Sequence, residues 1–163
     1  MQTNPPYYPA SVANYFLSKS KIISPLKLQK LIYYAHGWHL AYKENPLINE
    51  PIEAWPFGPV VSSIYHEFKD FGSRNINRLA SVYDPGCNSL VQPSISSGDE
   101  FAIKLLDEVL SAYGKIHAIQ LSNSTHLSGT PWHKTWTSNG SISVIGDDII
   151  KTYFQAKLSN KAI

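Results

Sequence analysis

The sequence predicts a mainly α-helical (α+β) protein: a compact bundle of five or six helices around a central buried helix, with a small β-hairpin or short strands. Apolar side chains recur at helical spacing along most of the 163 residues. One of these segments, 25–42, is apolar nearly all round, which is typical of a helix packed on several sides. Prolines bracket residues 52–55, and because proline disfavours helix in the residue before it, this stretch favours an extended strand.

Three helices and a strand are predicted in the first half of the chain. A short amphipathic helix covers 10–20, and the central helix begins at Pro25, whose fixed φ suits a first helical turn. The strand at 52–55 follows. Pro59 then opens a further helix, which stops at Gly72.

Residues 73–98 interrupt the helical pattern. They are rich in Asn, Ser, Pro and Gly, and a structureless connection of this length is uncommon in a compact domain. Asp84-Pro85-Gly86 is typical of a tight turn and would join short strands near 79–83 and 89–92. The segment is therefore either a mobile loop or a small β insertion.

The remaining helices follow this insertion. Asp99 suits the N-cap of the first, which ends at Gly114. A second helix covers about 117–125, and a turn at Gly129-Thr130-Pro131 leads into two tryptophans. Asp147 suits the N-cap of the last helix.

Composition and charge argue against several classes of function. The chain carries 14 Lys and Arg residues against 12 Asp and Glu residues, without the clustered basic face that direct nucleic-acid binding requires. A single cysteine, Cys87, excludes an internal disulfide and fits a reducing cytoplasm. No signal-peptide pattern opens the chain, and no apolar run approaches the roughly 18 residues of a membrane span. We therefore expect a cytoplasmic protein with no membrane partner.

Lys27, Lys30 and Tyr34 fall on one face of the predicted central helix. Lysines outnumber acidic residues over positions 1–50. A solvated stripe on a mostly buried helix explains this face without nucleic acid, and a patch for an acidic protein partner is the alternative. These three residues are our candidates for partner binding.

Two histidine-containing patterns could indicate a metal site or a catalytic site. His36 and His39 are three residues apart and could share a helix face, but no further metal-ligand motif accompanies them, and a hydrogen-bonded core histidine explains His39. Thr125 and His126 could suggest a hydrolase, yet no nucleophile elbow or orienting carboxylate lies at a recognisable spacing. Thr and His near a helix end more often bond its free carbonyls. We therefore predict no metal, no cofactor and no catalytic residues.

Glu53 and Trp55 lie in the predicted strand, where a buried carboxylate needs a partner. Lys30 or a tryptophan indole N–H could supply it. Trp55, Gly58 and Pro59 are explained as a tight corner between the strand and the next helix. Trp132, after Pro131, is expected to close the core from the C-terminal side.

Three segments of this sequence also resemble the signatures of one protein family. The residues that carry the resemblance are Leu28, Gln29, Leu31 and Tyr33 in the first segment, Trp55, Gly58 and Pro59 in the second, and Thr125, His126, Pro131 and Trp132 in the third. In this order they resemble the Panacea domain, the SocA-like antitoxin family of bacterial and phage toxin–antitoxin systems. The resemblance implies a single domain over 1–163 with its core at about 10–158. Segment 73–98 has no counterpart in the family pattern.

The resemblance also implies a function. A Panacea-type antitoxin neutralises a cognate toxin by direct protein–protein binding and is not an enzyme. Related proteins act instead as proteolytic adaptors that deliver the toxin to a Clp-type protease, and a phage-encoded regulator in phage–host conflict is a further alternative. A hydrolase that uses His126 is the rival from another functional class.

Overall fold

The computed structural model describes residues 2–161. The helices are α1 (Pro9–Lys19), α2 (Pro25–Lys43), α3 (Ser62–Phe68), α4 (Glu100–Tyr113), α5 (Ala118–Thr125), α6 (Pro131–Asn139) and α7 (Asp147–Lys161). The strands are β1 (Ile52–Trp55), β2 (Gly58–Val60), β3 (Val82–Asp84), β4 (Ser89–Val91) and β5 (Ser143–Ile145). The predicted fold class is confirmed, with seven α-helices among the described residues where five or six were expected.

Helix α2 is the central buried helix. Its N-cap residue Ser24 accepts a hydrogen bond from the Lys27 amide, and Glu44 ends it in the left-handed conformation. Helices α1, α3, α4, α5 and α7 all pack against it. The closest approach is at Gly37, where a Cβ atom would overlap the ring of Phe154 from α7. Glycine therefore lets α7 lie directly on the central helix.

A three-stranded antiparallel sheet lies beside α2, in the strand order β2-β1-β5. Its inner face pairs Ile52 with Ile145, and both are buried in the core. Its outer face pairs Glu53 with Val60 on one side and with Val144 on the other. Val60 is buried and Val144 is 54% exposed, so this face is open to solvent at β5.

The prediction that Pro59 opens a helix is wrong. Pro59 lies in β2, where it pairs with Ala54, and α3 begins only at Ser62. Proline is compatible with this position because β2 is an edge strand of the sheet. A tertiary pairing thus overrides the local helix-starting pattern.

Residues 73–98 contain the small β element that was one of the two alternatives. Strands β3 and β4 pair through Val82–Val91 and Tyr83–Leu90, and the predicted turn is present, with the Gly86 amide donating to Asp84 Oδ1 at 2.8 Å. Asn14 of α1 secures the segment to the body of the protein. Its side chain accepts from the Ala80 amide at 2.7 Å and donates to the carbonyls of Ala80 and Pro93, each at 3.0 Å.

Besides β2, two elements were not predicted, helix α6 and strand β5. Thr130 caps α6 by accepting from the His133 amide, and Pro131 occupies its first turn. The local pattern of a turn followed by tryptophans concealed this helix. Within residues 2–161, none of the helices has the length and apolar character needed to cross a membrane.

Candidate functional site

The three signature segments meet at one point in the fold. Gly58 of β2 lies between Lys30 of α2 and Thr125 of α5: a Cβ on Gly58 would sit 2.6 Å from Thr125 Oγ1 and 2.8 Å from Lys30 Cε. Gly58 also has a φ of +108°, which L side chains rarely adopt. Both the backbone conformation and the crowding therefore require glycine here.

Gln29 joins the central helix to the sheet edge. Its carboxamide oxygen accepts from the Val61 amide at 2.8 Å, and its nitrogen donates to the Val61 carbonyl at 3.1 Å. The side chain, which is buried, satisfies both backbone groups as a neighbouring strand would. The edge of the sheet just beyond β2 is consequently closed to strand pairing at this residue.

Lys30 is fully buried, and its ammonium nitrogen donates to the Pro59 carbonyl at 3.1 Å. Burial lowers the pKa of Lys30 to about 7, because the charged form is poorly solvated there. Among the described residues, no carboxylate forms an ion pair with it. Lys30 thus links α2 to β2 through a carbonyl group.

The exposure expected for Lys27, Lys30 and Tyr34 is wrong, since all three are buried. Lys27 Nζ donates to the Gly114 carbonyl at the end of α4, at 2.7 Å, and burial lowers the pKa of Lys27. Tyr34 stacks on Tyr113 with ring centroids 4.0 Å apart. Neighbouring elements cover this helix face. The partner-binding prediction required these side chains to be exposed, and they are not.

The His126 side chain lies between the end of α5 and the β1–β2 turn and contacts a backbone carbonyl of each. Its Nδ1 lies 2.6 Å from the Ser122 carbonyl oxygen and its Nε2 lies 3.0 Å from that of Pro56. Thr125 Oγ1 donates to the Ser122 carbonyl at 2.6 Å, so Thr125 and His126 both bond a carbonyl near the end of α5, as expected. In the described chain no carboxylate hydrogen-bonds the His126 ring, and the Ser122 hydroxyl is engaged with the Phe57 carbonyl. Both ring nitrogens of His126 therefore face backbone carbonyls.

Tryptophans complete this junction. The Trp55 indole donates to Glu53 Oε2 at 2.7 Å, which confirms one of the two partners expected for that carboxylate. The buried Trp132 donates to the Trp55 carbonyl at 2.8 Å, and its ring centroid lies 3.9 Å from that of His126. Trp132 therefore joins α6 to the sheet. This agrees with the expectation that Trp132 closes the core from the C-terminal side.

The two histidines of the central helix have separate partners. His39 Nδ1 lies 2.8 Å from the Asn45 carbonyl oxygen, and burial lowers the pKa of His39. This confirms the interpretation of His39 as a hydrogen-bonded core histidine. His36 Nε2 lies 2.8 Å from Asp147 Oδ1 at the start of α7. Across residues 2–161, no three His, Cys, Asp or Glu side chains are grouped so that they could hold a metal ion.

An open apolar groove of about 570 Å³ lies beside this junction. Four parts of the fold line it: the start of α2, the β1–β2 hairpin, the α3 region and α5. The lining residues are Pro25, Leu26, Gln29, Trp55, Pro56, Phe57, Val60, Tyr65, Lys69, Gly72, Ile119, Ser122 and Asn123. Phe57 is 72% exposed and Ile119 is 59% exposed, so large apolar side chains stand open to solvent at its mouth.

Sequence reasoning proposed a partner surface on the Lys27, Lys30 and Tyr34 face of α2 and did not predict this groove. One signal was present: Phe57 lies between Pro56 and Gly58 in a tight turn, where a large apolar side chain has little opportunity to enter the core. The exposure of Ile119 carried no comparable signal, because it depends on how α5 lies against α2.

Comparison with known proteins agrees with the signature segments. The family described as "Antitoxin SocA-like, Panacea domain" matches residues 28–133, which include all three segments. A relative named "Antitoxin SocA" from Caulobacter vibrioides (strain NA1000 / CB15N) is 36% identical over 155 residues, covering 89% of this chain and 81% of the relative. No solved structure matches the chain at a significant level. The chain belongs to the SocA-like antitoxin family, whose common unit is the Panacea domain.

Proposed function

We propose that this chain is an antitoxin that neutralises a cognate toxin in the cytoplasm by direct protein–protein contact, without catalysis. The observation that carries the proposal is the exposed Phe57 at the mouth of the apolar groove, within the second signature segment. Large exposed apolar patches on soluble proteins commonly mark interaction sites. Family membership identifies the kind of partner as a toxin.

The interior polar residues support a scaffold role for the signature segments. Gln29, Lys30 and His126 all bond to backbone groups of the β1–β2 region or α5. Side chains held in this way position the hairpin that carries Phe57. The buried residues of the signature would then specify the shape of the groove, and its exposed apolar residues would contact the toxin.

Co-expression with the product of the neighbouring gene tests the proposal. Wild-type chain should restore growth to cells that produce this toxin, and the two proteins should co-purify as a stable complex. Growth rescue without a complex would contradict neutralisation by direct contact. Rescue that depends on a Clp-type protease and is accompanied by loss of the toxin would favour delivery for degradation.

A matched pair of variants locates the contact. Phe57 and Leu90 are similarly exposed, at 72% and 71%, but Leu90 lies on the β3–β4 hairpin. Phe57→Ser should lose growth rescue while keeping the wild-type melting temperature, since little buried surface is lost. Leu90→Ser should rescue growth as the wild type does. The reverse result would move the contact to the β3–β4 hairpin.

A further inference from the structure

Three of the six polar side chains that line the groove already have partners within the protein. Gln29 bonds to Val61, the Ser122 hydroxyl donates to the Phe57 carbonyl, and the Trp55 indole donates to Glu53. These groups are therefore committed to holding the groove in shape. The polar groups left for a bound partner belong to other residues of the lining.

Lys69 and Tyr65 provide two such free donors at one end of the groove. Both line it, both are exposed, and they are four residues apart, with the Lys69 amide donating to the Tyr65 carbonyl. Side chains at this spacing lie on the same helix face. Within the described chain, Lys69 Nζ takes part in no ion pair and the Tyr65 hydroxyl has no hydrogen-bond partner.

Lys69 is also the only charged residue among those lining the groove in residues 2–161. An exposed lysine contributes little by pairing with an anion in water. A partner that covers the apolar lining would exclude water and strengthen the attraction between opposite charges. The groove thus combines apolar walls with one unbalanced positive charge and a neighbouring hydroxyl donor.

We propose that the groove binds an apolar segment of the toxin that also carries a carboxylate, which accepts hydrogen bonds from the Lys69 ammonium and the Tyr65 hydroxyl. This inference rests on the proposed function and names the chemistry of the partner. A protein segment fits better than a small molecule, because Phe57 and Ile119 extend the apolar surface beyond the groove and Val144, on the outer sheet face, is 54% exposed.

Charge reversal at Lys69 tests the carboxylate. Lys69→Glu should weaken toxin binding by about tenfold or more in titration calorimetry, since it places like charges together where opposite charges met. The control is Lys134→Glu, an equal change of net charge at an exposed lysine on α6 that does not line the groove. This control should bind within about twofold of the wild type, because exposed charges far from a contact are screened. Both variants should keep the wild-type melting temperature.

A second-site selection then identifies the paired residue. Each Asp and Glu of the toxin is changed to Lys, and the collection is challenged with the Lys69→Glu antitoxin. One of these toxin variants should be neutralised by Lys69→Glu better than by the wild-type chain. The absence of such a variant, with Lys69→Glu binding the toxin as tightly as the wild type, would refute the carboxylate pairing.

Hydrogen exchange of the complex tests the place of binding. Protection on toxin binding should centre on 55–61, 65–72 and 118–123, and protection confined to 82–91 would overturn the groove as the site. Self-association of the free protein that Phe57→Ser abolishes would show that a second copy occupies the groove instead. If wild-type chain fails to bind the toxin at all, the proposed function falls together with this inference. If it binds with Lys69 and the groove uninvolved, only the inference falls.

Discussion

The ammonium nitrogen of Lys30 donates to the carbonyl oxygen of Pro59 at 3.1 Å, in a place with no access to solvent. The contact joins the second turn of the central helix to the edge strand that follows Phe57. A neutral amine can still donate this hydrogen bond, whereas its protonated form has poor solvation at this position. The protein therefore links folding stability to the protonation of one interior lysine.

Stability should increase with pH through the titration of Lys30. Its pKa in the folded protein is about 7, below the ordinary value of 10.5, so the unfolded chain binds this proton more readily. The contribution of Lys30 to stability therefore rises between about pH 7 and 10.5. Between pH 6 and 8 the expected gain is on the order of 1 kcal/mol.

Urea unfolding of the wild type and Lys30→Met at several pH values measures this contribution. The difference in unfolding free energy between the two proteins isolates Lys30 from the ionisable groups that both proteins share. From pH 6 to pH 8, the unfolding free energy of the wild type should rise relative to that of Lys30→Met by on the order of 1 kcal/mol. Parallel pH profiles would show that Lys30 titrates with an ordinary pKa.

Gly58→Ala should destabilise the protein more than Gly72→Ala does. Both glycines have positive φ, at +108° and +57°, in backbone conformations that L residues rarely adopt, so alanine adds strain of about 1–3 kcal/mol at either position. Only at Gly58 would the new methyl group also crowd Thr125 and Lys30, which adds about 1–3 kcal/mol. Thermal unfolding of both variants provides the measurement, and equal melting temperatures would contradict the close packing at Gly58.

Gln29→Leu should lower the unfolding free energy by about 2–4 kcal/mol, because it leaves both backbone groups of Val61 without their partner in a buried site. Gln120→Leu is the control, since Gln120 is exposed on α5 and its side chain has no partner among the described residues. Chemical denaturation should find this control within about 0.5 kcal/mol of the wild type. A small effect at Gln29 would mean that solvent satisfies Val61.

His126→Ala should reduce stability by roughly 1–3 kcal/mol, because the Pro56 carbonyl loses its side-chain partner and the Ser122 carbonyl keeps only the Thr125 hydroxyl. Calorimetric unfolding tests this against His66→Ala, in which an exposed histidine is removed. The His126→Ala variant should still rescue growth when the assay is run below the melting temperature of the variant. A variant that folds as the wild type does but loses all activity would instead point to a chemical role for His126.

Much of the helical framework could be predicted from local pattern. Proline at the start of α2 and the apolar circumference of this helix indicated a central helix, and the proline-bracketed 52–55 segment indicated β1. These features depend on neighbours in sequence. The start of α3 was misplaced because Pro59 pairs with Ala54, a relationship that the local pattern does not contain.

The candidate site was harder to predict, because polarity along a sequence does not determine exposure. Lys27 and Lys30 carry charge and were expected at the surface, yet both are buried. Their ammonium groups donate to backbone carbonyls of distant segments, Lys27 to Gly114 and Lys30 to Pro59. Phe57 and Ile119 are apolar and were not singled out, yet both stand open to solvent.

The sequence by itself determined the family, the mainly helical class and the burial of α2, since motif order and apolar periodicity are properties of the chain. The tertiary structure alone decided that the signature segments meet around Gly58 and that Phe57, Ile119 and Lys69 border one groove. The physical reason is that a groove exists only between elements distant in sequence. Its walls depend on how α2, α3, α5 and the β1–β2 hairpin pack together.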